Sequence, residues 1–116
     1  MYHGSDWYCD RVLSGELAIT ELSRTEAVLA FVHPFPFYEH HVVVIPVRHV
    51  ASLTHLASPG DDALLLELVT TCRRFAAEME AAHGGCKVLT NIGDWQSTTS
   101  KHLHMHVMAG ARIRSD

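Results

Sequence analysis

The amino-acid sequence predicts an α+β fold: a five-stranded antiparallel sheet with one long helix and a short N-terminal helix. Three observations predict it. Short apolar runs of strand length lie on both sides of a single long segment with helical periodicity, instead of alternating with helices. Val42 to Ile45 is an unbroken β-branched run ended by Pro46, as expected of a strand covered on both faces. In KHLHMHVMAG, Lys101 to Gly110, histidine and apolar residues alternate with the period of a strand.

The elements follow in order. YCDRVLSGE, residues 8–16, predicts a short helix closed by Gly15. Ile19–Leu22 and Glu26–Val32 flank the polar Ser23-Arg24-Thr25 and predict a β-hairpin. In HPFPFYEHH, His33 to His41, Pro34 and Pro36 forbid continuous pairing, so a loop carrying three aromatics is expected before the Val42 strand. Asp61–His83 is the long helix. Its apolar face is assigned to Leu65, Leu68, Val69, Cys72, Ala76 and Met79, with Ser58-Pro59 as start signal and Gly84-Gly85 as stop. Lys87–Asn91 predicts a further strand. NIGDWQSTTSK then forms a polar loop into the histidine strand, whose Leu103, Met105 and Val107 should face the helix.

The 116 residues suit one domain, 1–116, with its core at about 8–110 and no repeat or linker to divide it. A net charge of −4 and the lack of a Lys/Arg-rich run argue against nucleic acid as a partner. No run approaches the ~18 apolar residues of a membrane span, and MYHGSDWYCD lacks the basic and apolar regions of a signal peptide. With three widely spaced cysteines, Cys9, Cys72 and Cys86, the expectation is a cytoplasmic protein with reduced thiols. All three are read as buried small hydrophobes.

His102, His104 and His106 share one side of their strand, expected to be an accessible one. A metal is one reading, because His-x-His is a competent zinc pair. However, the outer two imidazoles of an extended strand stand roughly 13 Å apart, too far for one ion. Catalysis without a metal is another: a neutral imidazole attacks phosphorus, and His104 has a neighbour on either side to hold phosphate oxygens. Protonated neighbours and the hydroxyls of Ser97, Thr98, Thr99 and Ser100 would then stabilise developing charge. The bland alternative is a solvated strand face with coincidental histidines.

The segment HLHMHVM, His102 to Met108, resembles the His-φ-His-φ-His-φ-φ signature of the histidine triad (HIT) superfamily, φ being apolar. HVVVIPVRH, His41 to His49, is similar to that family's upstream strand. Asn91 lies eleven residues before His102, where nucleotide-binding members carry asparagine, and YCDRVLSGE is similar to the N-terminal segment. The resemblance covers roughly residues 8 to 110 in the family's order.

It implies a homodimer of five-stranded protomers and a nucleotide site with the α-phosphate over the triad. His104 would be the nucleophile of a nucleotidyl-histidine intermediate, His106 would hold a phosphate oxygen, and His102 and His41 would orient the others. Asn91, Thr99 and Thr98 would contact phosphate or leaving group, while Ile19, Phe31 and Leu22 would sandwich a base. The implied reaction is hydrolysis or transfer at a phosphoramidate or phosphoanhydride bond, with no cofactor required. Dinucleoside polyphosphate hydrolysis, or nucleotide binding with negligible turnover, are the alternatives. His33 stands where members that bind purine nucleotides have Asp or Asn, so the bidentate grip on a ribose diol is lost. Many bacterial members hold structural zinc through Cys-x-x-Cys and two histidines. Here Asp6 and Cys9 take the cysteine positions, and with His49 and His102 they would form a mixed zinc site.

Overall fold

The computed structural model describes residues 6–97 and 101–114. Its strands are β1 (Thr20–Arg24), β2 (Val28–Val32), β3 (Tyr38–Pro46), β4 (Lys87–Thr90) and β5 (Met105–Arg112), and its long helix is α1 (Asp62–His83). The strands form one antiparallel sheet in the order β1-β2-β3-β5-β4. The predicted α+β class, strand number and single long helix are all present.

Alternation along β2 and β3 builds two apolar layers. On one face Val28, Ala30, Val42, Val44 and Val107 meet Leu68, Cys72, Phe75 and Met79 of α1, joined by Leu103. On the other, Leu29, Phe31, Val43 and Ile45 meet Tyr8 and Val12. Those two residues come from an N-terminal π-helix, Tyr8–Leu13, where the sequence predicts an ordinary short helix. Val42 to Ile45 is accordingly covered on both faces, as the unbroken apolar run requires. At the end of α1, Gly84 takes φ 87° and donates its N–H to the Glu80 carbonyl, a left-handed cap that glycine adopts without strain.

Four expectations need correction. β3 starts at Tyr38, four residues before Val42, because the chain leaves the two prolines early enough to pair with β5. The histidine strand is displaced: β5 begins at Met105, and His102 and His104 precede it in irregular backbone. Leu65 and Val69 of the assigned helix stripe are exposed, and Phe75 takes a place in the buried row. Cys86 is exposed, while Cys72 is buried as expected. No helix of the described residues is long and apolar enough to cross a membrane.

Leu68 is fully buried between α1 and the sheet. Leu68→Ala should therefore lower the unfolding free energy by about 2–5 kcal/mol. The exposed Arg73→Ala on the same helix should stay within about 0.5 kcal/mol of the parent. Equilibrium urea denaturation checks both.

Candidate active site

The three alternating imidazoles lie on the face of the sheet away from α1, but not on an open surface. His102, His104 and His106 are all buried, at 0%, 5% and 5% exposure. The cover is the N-terminal π-helix: Tyr8 stacks on His104 with ring centroids 4.8 Å apart and lies 5.7 Å from His102. A period of two reports which side a residue takes, not what packs against that side.

Partner chemistry fixes the tautomers. His104 Nδ1 lies 2.6 Å from the backbone carbonyl of His102. A carbonyl only accepts, so Nδ1 carries the proton and Nε2 presents a lone pair. Burial lowers the pKa of His104, partly offset by that same hydrogen bond, which favours the charged ring.

A second chain of bonds runs through the neighbours. The Phe37 backbone N–H donates to His41 Nδ1 at 3.0 Å, so the His41 proton sits on Nε2. His41 Nε2–H donates to His106 Nδ1 at 2.8 Å, which leaves the His106 proton on Nε2. Likewise the Phe35 N–H donates to His33 Nδ1 at 2.9 Å, making His33 Nε2 a donor. Burial is the main reason that His33 and His41 are lowered to about 4 and His106 to about 3, and the neighbouring imidazoles add to it. Arg114 contributes at His33. These rings are neutral near pH 7, so the expected protonated neighbours are instead neutral N–H donors.

A cavity of about 210 Å³ opens over this group, with His104, His106, His33, Asn91, Ser97 and Trp95 in its wall. Asn91 and His33 line this cavity together with His104 and His106. His41 supports from behind, buried against His106. Thr98 and Thr99 lie outside the described residues. Phe31 is fully buried beneath Tyr8, with Ile19 packed beside it, so neither is an open wall for a base. Leu22 is not brought to the site at all. A register shift between Glu21 and Ser23 accompanies its position in a groove on the α1 face with Val32, Phe75 and Met79. Arg48 pairs with Asp61 at the surface, and His40 stacks on His83 away from His41. Tyr8 and Phe37 are the residues the sequence reading missed. Tyr8 sits in a segment whose apolar positions signal packing but not what it packs on.

Beside the triad, Asp6, Cys9, His49 and His102 each direct one donor atom into a cluster within 4.8 Å. Asp6 Oδ2 lies 2.6 Å from Nδ1 of both His49 and His102, and Cys9 Sγ lies 3.9 Å and 3.5 Å from the same nitrogens. His102 Nε2–H donates to the Pro46 carbonyl at 2.9 Å, so its Nδ1 is the atom turned toward the cluster. The other Asp6 oxygen accepts the Tyr8 N–H at 2.9 Å, tying the cluster to the π-helix. Although burial opposes it, His102, Cys9 and His49 hold the Asp6 carboxyl well below the usual range. Burial and Asp6 push the Cys9 thiol up to about 12. One oxygen, one sulfur and two ring nitrogens form a donor set that zinc accepts, and the convergence of the four fits such an ion.

Comparison with known proteins identifies the family and the fold. An uncharacterized 13.2 kDa HIT-like protein of Azospirillum brasilense is 30% identical over 103 residues, covering 89% of this chain and 84% of that protein. A HIT family hydrolase from Clostridium thermocellum shares the fold at a TM-score of 0.78 and 23% identity, with 99% of this chain and 98% of that one covered. A histidine triad nucleotide-binding protein from Candida albicans superposes at a TM-score of 0.72, 24% identical over 89% of this chain and 73% of that one. The HIT domain family model matches residues 15–113, most of the chain. By sequence and by fold, this chain belongs to the histidine triad (HIT) family.

Proposed function

We propose that this HIT protein hydrolyses or transfers a nucleotidyl group by covalent catalysis on His104, cleaving a phosphoramidate or phosphoanhydride bond at the α-phosphate. The observation that carries the reading is the bond from His104 Nδ1–H to the His102 carbonyl. It directs the lone pair of Nε2 at phosphorus. Once Nε2 is bonded to phosphorus the ring is positive, and the same carbonyl stabilises it. His106 Nε2–H, held by the relay from His41, donates to a phosphoryl oxygen, with Asn91 beside it in the cavity wall. As the bond to the leaving group breaks, its electron pair departs with that group, which takes up a proton from solvent that the attacking water later returns. Water then attacks phosphorus, releases the nucleoside monophosphate and restores the lone pair of Nε2. Tyr8 over His104 favours one other reading, a nucleotide-binding module with negligible turnover, since the ring is only 5% exposed.

Rapid-quench intact-mass spectrometry with an adenosine phosphoramidate separates the two. A transient adduct of one nucleoside monophosphate is expected on the parent protein and not on His104→Ala. Nucleotide binding without adduct or product on the parent would sink the hydrolase reading.

The cluster at Asp6, Cys9, His49 and His102 is assigned here to structural zinc, which would pin the N-terminal segment over the site. The exposed apolar residues Leu66 and Val69 of α1 and Val88 on the unpaired β4 edge favour a homodimer through that side. Native mass spectrometry tests both at once. The expected species is twice the 12.9 kDa chain mass with one zinc per protomer, and Cys9→Ser should lose the metal. A metal-free monomer at micromolar concentration would contradict both assignments.

The neutral imidazoles also set a dependence on pH. In the unfolded chain histidine titrates near 6.5, whereas folded His33 and His41 titrate at about 4 and His106 at about 3. The unfolded state therefore binds more protons below about 6.5, and stability falls as pH is lowered from there toward about 4. Thermal melts across that window should show a falling midpoint, with a shallower slope in His33→Gln. Equal slopes in the two proteins would count against a neutral folded His33.

A further inference from the structure

The cavity over His104 continues into a second one of about 230 Å³ that shares His106, Asn91, Phe37 and Trp95 with it but does not touch His104. Its far wall is basic. Lys87, opposite Met108 on the β4–β5 ladder, and Arg112, opposite Tyr38 on the β3–β5 ladder, both line it. Tyr38 gathers the two cations: Lys87 Nζ lies 5.2 Å from its ring centroid and donates to its hydroxyl at 3.0 Å, and the Arg112 guanidinium lies 5.8 Å from the same centroid. Lys87 takes part in none of the ion pairs among the described residues. In a chain of net charge −4 this is a local reversal of sign.

We infer that this basic annex is a subsite for a leaving group that carries an anion, so that Lys87 and Arg112 select substrates whose departing portion bears a carboxylate or a phosphate. The inference rests on the nucleotidyl-transfer reading and narrows its substrate class. In-line displacement places the leaving group on the far side of phosphorus from the nucleophile. The annex opens off the catalytic cavity at His106 and Asn91 and has no contact with His104, so a group that departs away from the nucleophile can enter it. A third cavity, of about 410 Å³, is walled by Trp7, Tyr8, Phe35 and Phe37, with Arg114 also in its wall, and its rings offer flat aromatic surface to a base. Tyr38 holds Lys87 and Arg112 on one side of the annex, which limits the side-chain freedom lost when an anion binds.

The test compares two adenosine 5′-phosphoramidates that differ only in the departing amine, glycine against glycinamide. Wild-type kcat/KM should favour the carboxylate by about fivefold, the scale of an exposed charge contact. That ratio should fall toward one in Lys87→Gln and Arg112→Gln and invert in Lys87→Glu, while Arg73→Gln on α1 leaves it in place. Turnover of both compounds with a ratio that the Lys87 and Arg112 substitutions do not move would overturn the subsite and leave the hydrolase reading intact. A second arm needs no turnover and tests the phosphate source: calorimetric titration with ADP and AMP. Wild type should bind ADP more tightly, by a margin that Lys87→Gln and Arg112→Gln remove. Equal affinities in the wild type would overturn the subsite for phosphate. Failure of the phosphoramidates alone, with the ADP preference present and sensitive to Lys87, would count against the hydrolase reading and support the subsite.

Discussion

His102 is the residue on which the rest of the site depends, and it acts with three different groups. Its backbone carbonyl accepts a hydrogen bond from Nδ1–H of His104 and so decides which nitrogen of that ring carries a lone pair. Its Nε2–H is spent on the Pro46 carbonyl at the end of β3, which fixes the ring to the sheet. Its Nδ1 faces Asp6, whose other oxygen accepts the Tyr8 N–H. Because Tyr8 is the ring stacked on His104, one side chain links the sheet, the N-terminal cover and the nucleophile. Full burial makes this arrangement rigid, since a buried polar ring with an unmet partner would cost about 1–3 kcal/mol. Among the described residues no buried side-chain nitrogen or oxygen lacks a partner.

Much of this was legible in the sequence, for reasons that can be named. The alternation of His102, His104 and His106 with Leu103, Met105 and Val107 is a period-two pattern, and it put the imidazoles on the side away from α1. The β-branched run from Val42 to Ile45 announced a strand with two covered faces. The family resemblance, with Asp6 and Cys9 at the usual cysteine positions, implied the grouping of Asp6, Cys9, His49 and His102 that the structure brings together.

What was not legible is tertiary. Periodicity cannot say that a six-residue π-helix folds over the histidines, so a face expected to be open is closed. Nor can it separate a stripe that meets the sheet from one that does not: Leu65 and Val69 sit at helical spacing from Leu68 and Cys72 yet are exposed. The sign of charge was misread for a related reason. A histidine in sequence carries its ordinary pKa near 6.5, and only packing shows that His33, His41 and His106 lose the proton to burial and to one another.

That loss explains how so many imidazoles share a small volume. The rings of His104 and His106 lie 4.9 Å apart. Two imidazolium charges at about 5 Å would repel by roughly 3 kcal/mol at an effective dielectric near 20. Keeping the rings neutral removes the repulsion, and the hydrogen-bond chain from Phe37 through His41 to His106 turns that neutrality into a fixed direction, because each ring can donate only from the nitrogen its neighbour leaves protonated. Full positive charge is kept at the edge instead, on Lys87 and Arg112 against Tyr38 and on Arg114 over Phe37. An anion entering the site therefore meets oriented N–H dipoles at its centre and formal cations at its periphery. The lone pair of His104 is kept chiefly by burial, which disfavours the charged ring, while the buried Asp6 carboxylate beyond His102 pulls the other way.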